Sequence, residues 1–239
     1  MAYFIFSILM VLVGAYAISA QIFFIRELLV LFFGNELCIG IIFFCWFLGI
    51  TVGAGISGKL TRRFKNIWNI FFTCLFILTL IPFMLIPVMR LLRDIFAVPS
   101  GEYFSIMDMF LGTCMSVCPF SFMIGFYFPI ACRAIISSGQ KGSTGIGLVY
   151  VYESAGSLAG GIIISLVLIP AYRPLQIFSA VSLLTWMAAL CYVLTLKSGI
   201  KKNFSLGLFC VVNSYTYSDC RRLYIQTGRL FNYATVENI

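Results

Sequence analysis

The chain is 239 residues long, 62% of its residues are hydrophobic and only 10% are charged. A soluble domain carries about 25% charged residues, so this composition excludes a soluble globular protein and indicates an integral protein of the lipid bilayer. The net charge is +8, but the sequence contains no polar, basic domain that could bind nucleic acid. This argues against nucleic-acid binding and for attraction to anionic lipid heads.

Six apolar runs follow one another along the chain, each long enough to cross a bilayer as a helix of about 20 residues. The predicted spans are residues 3–33, 37–57, 67–89, 109–136, 146–172 and 175–196. Pro119 and Pro129 are expected to break the fourth span. The sequence therefore predicts an all-α fold, a polytopic bundle of transmembrane helices.

The C-terminal part differs from this bundle in composition. Residues 203–212 are apolar but only half a span long, so they form either a truncated seventh helix or an interfacial segment. Residues 213–239 are polar, aromatic and basic, without a clear period, and are typical of a tail. We expect a transmembrane domain over residues 1–202 and a short apolar segment with a tail over 203–239.

Basic residues concentrate in alternate connections, which predicts the orientation by the positive-inside rule. The connection between spans 2 and 3 carries Lys59, Arg62, Arg63 and Lys65. Further basic residues lie between spans 4 and 5 and after span 6. We expect these connections and the N-terminus to face the cytoplasm, in a multi-pass protein of the cytoplasmic membrane.

Glu153, within the fifth span, is the leading candidate for a functional site, because a charge in hydrocarbon is costly and needs a partner. A span that begins at residue 146 places it about two turns from the loop. It is either a substrate or proton site, or a carboxylate held by a neighbouring helix.

A second polar group lies late in the first span and contains Gln21, Arg26 and Glu27. Adjacent helical residues point about 100° apart, so Arg26 and Glu27 cannot pair with each other. They serve either as interfacial anchors, or Arg26 pairs with Glu36 or Glu153. If Arg26 and Glu27 are interfacial anchors, residues 33–36 continue the first helix as an amphipathic segment where it leaves the membrane.

Two pairs of glycines at a spacing of four residues predict close helix packing. Gly49 and Gly53 lie in the second span, and Gly156 and Gly160 lie in the fifth. We expect these faces to be structural.

Catalytic and metal-binding patterns are missing from the sequence. The chain has no histidine, no phosphate-binding loop and no CxxC pair among its nine cysteines, so the usual zinc sites and nucleophile–base pairs are excluded. The cysteines fall mostly in apolar runs, where they act as small hydrophobic residues. A site of cysteine and carboxylate ligands stays open but lacks a known spacing, and we expect no catalytic residue, cofactor or metal.

Two motifs carry a resemblance to a known family. The first motif runs from Gln21 through Arg26-Glu27-Leu28 to Phe33-Gly34-Asn35-Glu36, and Trp46, Gly49 and Gly53 follow it. The second motif is Tyr152-Glu153-Ser154-Ala155-Gly156-Ser157 with Gly160-Gly161, and an apolar run to Pro170 follows it. Together, over residues 4–196, they resemble the membrane region of bacterial spermidine-synthase-like proteins, which precedes an aminopropyltransferase domain. The loop that begins at Gly58 is similar to one in major-facilitator transporters, with Thr61 in place of the usual aspartate.

The resemblance implies the membrane half of such a protein without its enzymatic half, because the glycine-rich turn and acidic residues that bind the nucleoside substrate have no counterpart here. The expected function is a membrane scaffold or partner subunit, bound to another protein or to a second copy. A remnant of a synthase whose enzymatic half is a separate chain is a related reading. The alternative is a small facilitator-like transporter of a cation such as a polyamine, with Pro119, Pro129 and Glu153 as its elements.

Overall fold

The computed structural model describes residues 2–63, 66–99, 101–172 and 174–195. Within these residues the chain is six helices without a strand, which confirms the all-α fold. The helices are α1 (Ala2–Leu31), α2 (Leu37–Leu60), α3 (Ile67–Ile95), α4 (Ile106–Ser137), α5 (Gly142–Ile163) and α6 (Pro174–Thr195). A 3-10 turn, Thr61–Arg63, follows α2. The predictions for residues 203–239 lie outside the described residues.

The first five helices are long and apolar enough to cross a membrane. To reach this length, α5 continues through one π-helical turn, Ile164–Leu168, into Ile169–Ala171. In α6 the apolar stretch of the described residues is Ala180–Tyr192. The molecule is therefore a membrane protein, as its composition indicates.

Two local predictions are wrong. The helix α4 is continuous through Pro119 and Pro129, because α2 and α3 pack against it on either side, and packed neighbours make proline tolerable in a membrane helix. Residues 33–36 do not extend α1. Phe33 and Gly34 have φ angles of +55° and +73°, a left-handed conformation that ends the helix.

Backbone-to-backbone contact joins α2 to α4. A Cβ atom added to Gly53 would collide with the carbonyl oxygen of Phe122, and one added to Gly125 would collide with that of Ile50. Gly49 lies one turn earlier, against Ser121. Small residues allow this close approach, in which van der Waals contact replaces the hydrophobic force that lipid cannot supply.

A second contact of this kind joins α1 to α5. The missing Cβ of Gly14 makes room for the carbonyl oxygen of Glu153, and that of Gly156 makes room for the carbonyl of Val11. Gly160 continues the contact against Ala15. Ser157 strengthens it by donating a hydrogen bond of 3.1 Å from its hydroxyl to the Gly14 carbonyl.

Thr79 of α3 links three helices inside the bundle. Its carbonyl accepts a hydrogen bond of 2.8 Å from the Tyr16 hydroxyl of α1. Its hydroxyl accepts one of 3.1 Å from the indole N–H of Trp186 in α6. This residue therefore ties α1 and α6 to α3.

Contacts at one end of the bundle involve the N-terminus and alternate connections. The Tyr3 hydroxyl donates to the carbonyl of Ser138, next to the α4–α5 turn. The Trp68 ring at the start of α3 lies 6.3 Å from that of Phe6 and 5.2 Å from that of Tyr192. The N-terminus, the α2–α3 connection, the α4–α5 turn and the end of α6 thus share one end.

The opposite end is closed by an aromatic cluster around a guanidinium. The Arg93 guanidinium lies 4.8 Å from the centre of the Phe33 ring and 5.4 Å from that of Phe104. These cation–π contacts join the α1–α2 turn to the α3–α4 connection.

The contact between Gly53 and α4 predicts that the effect of an alanine substitution on stability depends strongly on its position along α2. Gly53→Ala should lower the free energy of unfolding by about 1–3 kcal/mol, because a methyl group there collides with backbone that cannot rotate away. Gly55→Ala is the matched control on the same helix, since a Cβ at Gly55 meets nothing within 4 Å. Thermal unfolding in detergent measures both, and equal effects of the two substitutions would contradict the contact.

Candidate intramembrane polar site

Glu153 lies where three helices meet. Its backbone is in contact with Gly14 of α1, while its carboxylate acts electrostatically on the Tyr127 hydroxyl and the Cys132 thiol of α4. The side chain is partly buried. Glu153 is therefore an acidic group enclosed between α1, α4 and α5.

The position of Glu153 along α5 differs from the sequence-based expectation. The helix begins at Gly142, so eleven residues precede Glu153, which is about three turns or 16 Å of helix. The hydrocarbon core of a bilayer is about 30 Å thick. If Gly142 lies at the membrane surface, Glu153 is near the midplane and not two turns from the loop.

Tyr127 adds an unpaired polar group to this site. Its hydroxyl is buried and has no hydrogen-bond partner among the described residues. A buried polar group without a partner costs about 1–3 kcal/mol, so native structures rarely retain one without a reason.

Arg26 and Glu27 are directed to different neighbours, as expected of adjacent helical residues. Arg26 is exposed and lines a shallow open cleft between α1, the π-helical end of α5 and α6. Glu27 is electrostatically attracted to Arg90 of α3 and, less strongly, to its neighbour Arg26. Gln21 is partly buried on the same helix, and its side chain is not part of that cleft lining.

Neither of the two pairings considered for Arg26 is present among the described residues. Gly14, the α1 residue in contact with Glu153, lies twelve residues before Arg26, about 18 Å along the helix. This separation rules out an ion pair between Arg26 and Glu153. Glu36 is exposed in the α1–α2 turn and does not pair with Arg26 either.

Sequence patterns did not single out Tyr127 or Gly14. Tyr127 lies in an aromatic stretch between Phe126 and Phe128, where nothing distinguishes it from a packing residue. Gly14 has no second glycine at the spacing of four that marks a packing face. Only the pairing of α1 with α5 and of α4 with α5 brings these residues to Glu153.

Comparison with known proteins gives no match to a family model, to a curated protein or to a solved structure.

Two tyrosine-to-phenylalanine substitutions test whether the Tyr127 hydroxyl is unpaired. Tyr127→Phe should leave the free energy of unfolding unchanged or raise it, since it removes a buried hydroxyl without a partner. Tyr16→Phe should lower it by about 1 kcal/mol, since that hydroxyl donates to Thr79. Thermal unfolding compares the two, and a loss at Tyr127 as large as that at Tyr16 would mean that its hydroxyl has a partner.

Proposed function

We propose that the protein is a non-catalytic membrane subunit that holds a partner protein through the outward face of α5. The proposed site of action is the cytoplasmic membrane, with the N-terminus and the end of the bundle that contains Tyr3 and Ser138 on the cytoplasmic side. The basic connections favour this orientation. The resemblance to the membrane half of spermidine-synthase-like proteins is compatible with such a role.

The outward face of α5 is the observation on which this proposal rests. Only 17% of the apolar stretch of α5 is buried, against 56% of that of α1. Val151, Ala155, Ala159 and Ile163 follow one another at a spacing of four on this exposed side. A ridge with small residues at this spacing lets a second helix approach closely in a membrane.

The opposite face of α5 is already occupied. Gly156 and Gly160 are in contact with α1 inside the bundle, so the helix carries small residues on both sides. Lipid contact alone is satisfied by large apolar side chains and does not require the alanines. This favours a second helix, from another protein or from a second copy of the chain, as the neighbour of Ala155 and Ala159.

Purification from the native membrane tests the partner proposal. The tagged chain, extracted in polymer-bounded lipid discs, should be recovered with a stoichiometric partner identified by mass and by mass spectrometry. Ala159→Phe should abolish this recovery, because a ring on the ridge prevents close approach. Val52→Phe, at an exposed position of α2, is the matched control and should retain the partner.

Recovery of a lone monomer by the wild-type chain would reject the proposal. Recovery of a dimer that Ala159→Phe converts to monomers would identify the partner as a second copy.

The second candidate function is transport of a cation such as a polyamine. The observation that favours it is the Glu153 carboxylate of α5, whose charge acts on the unpaired Tyr127 hydroxyl of α4. A cationic amine could donate to both. Transporter sites commonly lie near the midplane of the membrane, which is the depth of Glu153 if Gly142 lies at the surface.

Uptake into liposomes tests the transport candidate. Glu153→Gln should lower the uptake of a radiolabelled polyamine about tenfold or more, because it removes a charge-assisted hydrogen bond worth about 1.5–3 kcal/mol. Glu36→Gln, in the exposed turn between α1 and α2, should leave uptake unchanged. Uptake that persists in Glu153→Gln would exclude this role for the residue.

A further inference from the structure

Three cysteine side chains converge between α2 and α4, away from the site of Glu153. The Sγ atoms of Cys45, Cys114 and Cys118 all lie within 4.8 Å of one another. Those of Cys45 and Cys114 are 3.3 Å apart. The Cys118 thiol also contacts the carbonyl oxygen of Cys45 at 3.6 Å. Thiols from two helices thus point to one position.

These separations fit a single metal ion in the plane of the three sulfurs. A metal–thiolate bond is about 2.3 Å long, so an ion bound equally to three sulfurs sets them about 4 Å apart. The Cys45–Cys114 separation of 3.3 Å is shorter than this value, and the other two separations are at most 4.8 Å. Small side-chain rotations would therefore bring the three sulfurs into a trigonal arrangement.

The backbone contact between α2 and α4 holds the ligands in place before any ion arrives. Gly49, one turn after Cys45, lies against Ser121, which follows Cys118 by three residues. The two helices cannot slide past each other without breaking this contact. Ligands that are already positioned lose little conformational entropy when they bind an ion.

We propose that Cys45, Cys114 and Cys118 bind one monovalent soft metal ion, Cu(I), inside the membrane. Thiolate ligands select soft ions, and the cluster contains no carboxylate. A structural zinc ion takes four ligands, whereas the described residues bring three ligand side chains to this position.

Binding of the ion releases protons. A cysteine binds a metal as its thiolate, so each sulfur that coordinates Cu(I) passes its proton to the aqueous phase.

The cluster lies near the end of the bundle that carries Arg93. Cys45 lies eight residues after the start of α2, and Cys114 lies eight residues after the start of α4. Both are about 12 Å along their helices from that end. Cys45 is buried, whereas Cys114 and Cys118 are partly exposed.

A competition titration tests this site. The full-length chain, reduced and kept without oxygen in lipid discs, is titrated with Cu(I) against a colorimetric Cu(I) chelator, and with Ag(I) as a redox-inert probe. We expect one ion per chain. Replacing all three cluster cysteines with serine should weaken binding by more than about 100-fold, the upper range for changes that only reorient ligands.

The matched control replaces three cysteines outside the cluster, Cys74, Cys132 and Cys191, with serine and should retain the ion. X-ray absorption of the loaded wild-type chain should give three sulfur neighbours at about 2.3 Å. Cys118→Ser should reduce these to two, which keeps the test decisive if the triple variant fails to fold. Absence of binding, binding that survives the triple substitution, an unchanged sulfur count in Cys118→Ser, or a preference for zinc would each overturn the proposal.

Discussion

Direct contact between helix backbones is the interaction on which the rest of this structure depends. Lipid is as apolar as the side chains it surrounds, so helices in a membrane associate through packing and hydrogen bonds. Here the packing is concentrated at Gly53 and Gly125 between α2 and α4, and at Gly14 and Gly156 between α1 and α5. The helices α3 and α6 join these pairs through polar and aromatic side chains. Thr79 of α3 accepts hydrogen bonds from Tyr16 of α1 and from Trp186 of α6.

The same contacts position the polar side chains. Contact at Gly14 brings the Glu153 backbone against α1, and its carboxylate acts electrostatically on Tyr127 of α4. Contact at Gly49 brings the preceding turn of α2, with Cys45, level with Cys114 and Cys118 of α4. Both candidate sites are therefore consequences of helix pairing: the Glu153 site depends on the α1–α5 contact and the cysteine cluster on the α2–α4 contact.

Hydropathy was sufficient to predict the six helices of the described residues, because five contain an apolar run long enough for a bilayer and the sixth contains a shorter one, Ala180–Tyr192. It failed at helix ends. The first turn of α5 is Gly142-Ser-Thr-Gly145, which is not apolar, yet the amide of Gly145 donates a 2.8 Å hydrogen bond to the carbonyl of Lys141. The last six residues of α3 include Arg90, Arg93 and Asp94 and are helical as well. The helical backbone hydrogen bonds therefore extend past the ends of the apolar runs.

Which helices are neighbours could not be predicted from the runs themselves, and the site residues depend on that pairing. Glu153 stood out in the sequence because a lone charge is conspicuous in an apolar span. The three cysteines did not, because their spacing along the chain matches no ligand pattern and their sulfurs meet only across α2 and α4. Ser121-x3-Gly125 was a readable signal for the α4 contact, since it has the spacing of a small-residue face.

A helix bundle that served only to hold a partner would be more stable without an acidic group beside an unpaired buried hydroxyl. Replacing Glu153 by glutamine and Tyr127 by phenylalanine would remove a charge from hydrocarbon and a polar group without a partner, with little change of shape. Native sites that retain such unfavourable groups commonly do so for function, at a cost in stability. The outward ridge of α5 has no such cost, because its exposed apolar residues can contact lipid without a loss of stability. The outward face of α5 is therefore recognised by the protein that binds to it. The polar site is recognised by the stability that the chain gains when Glu153 and Tyr127 are replaced.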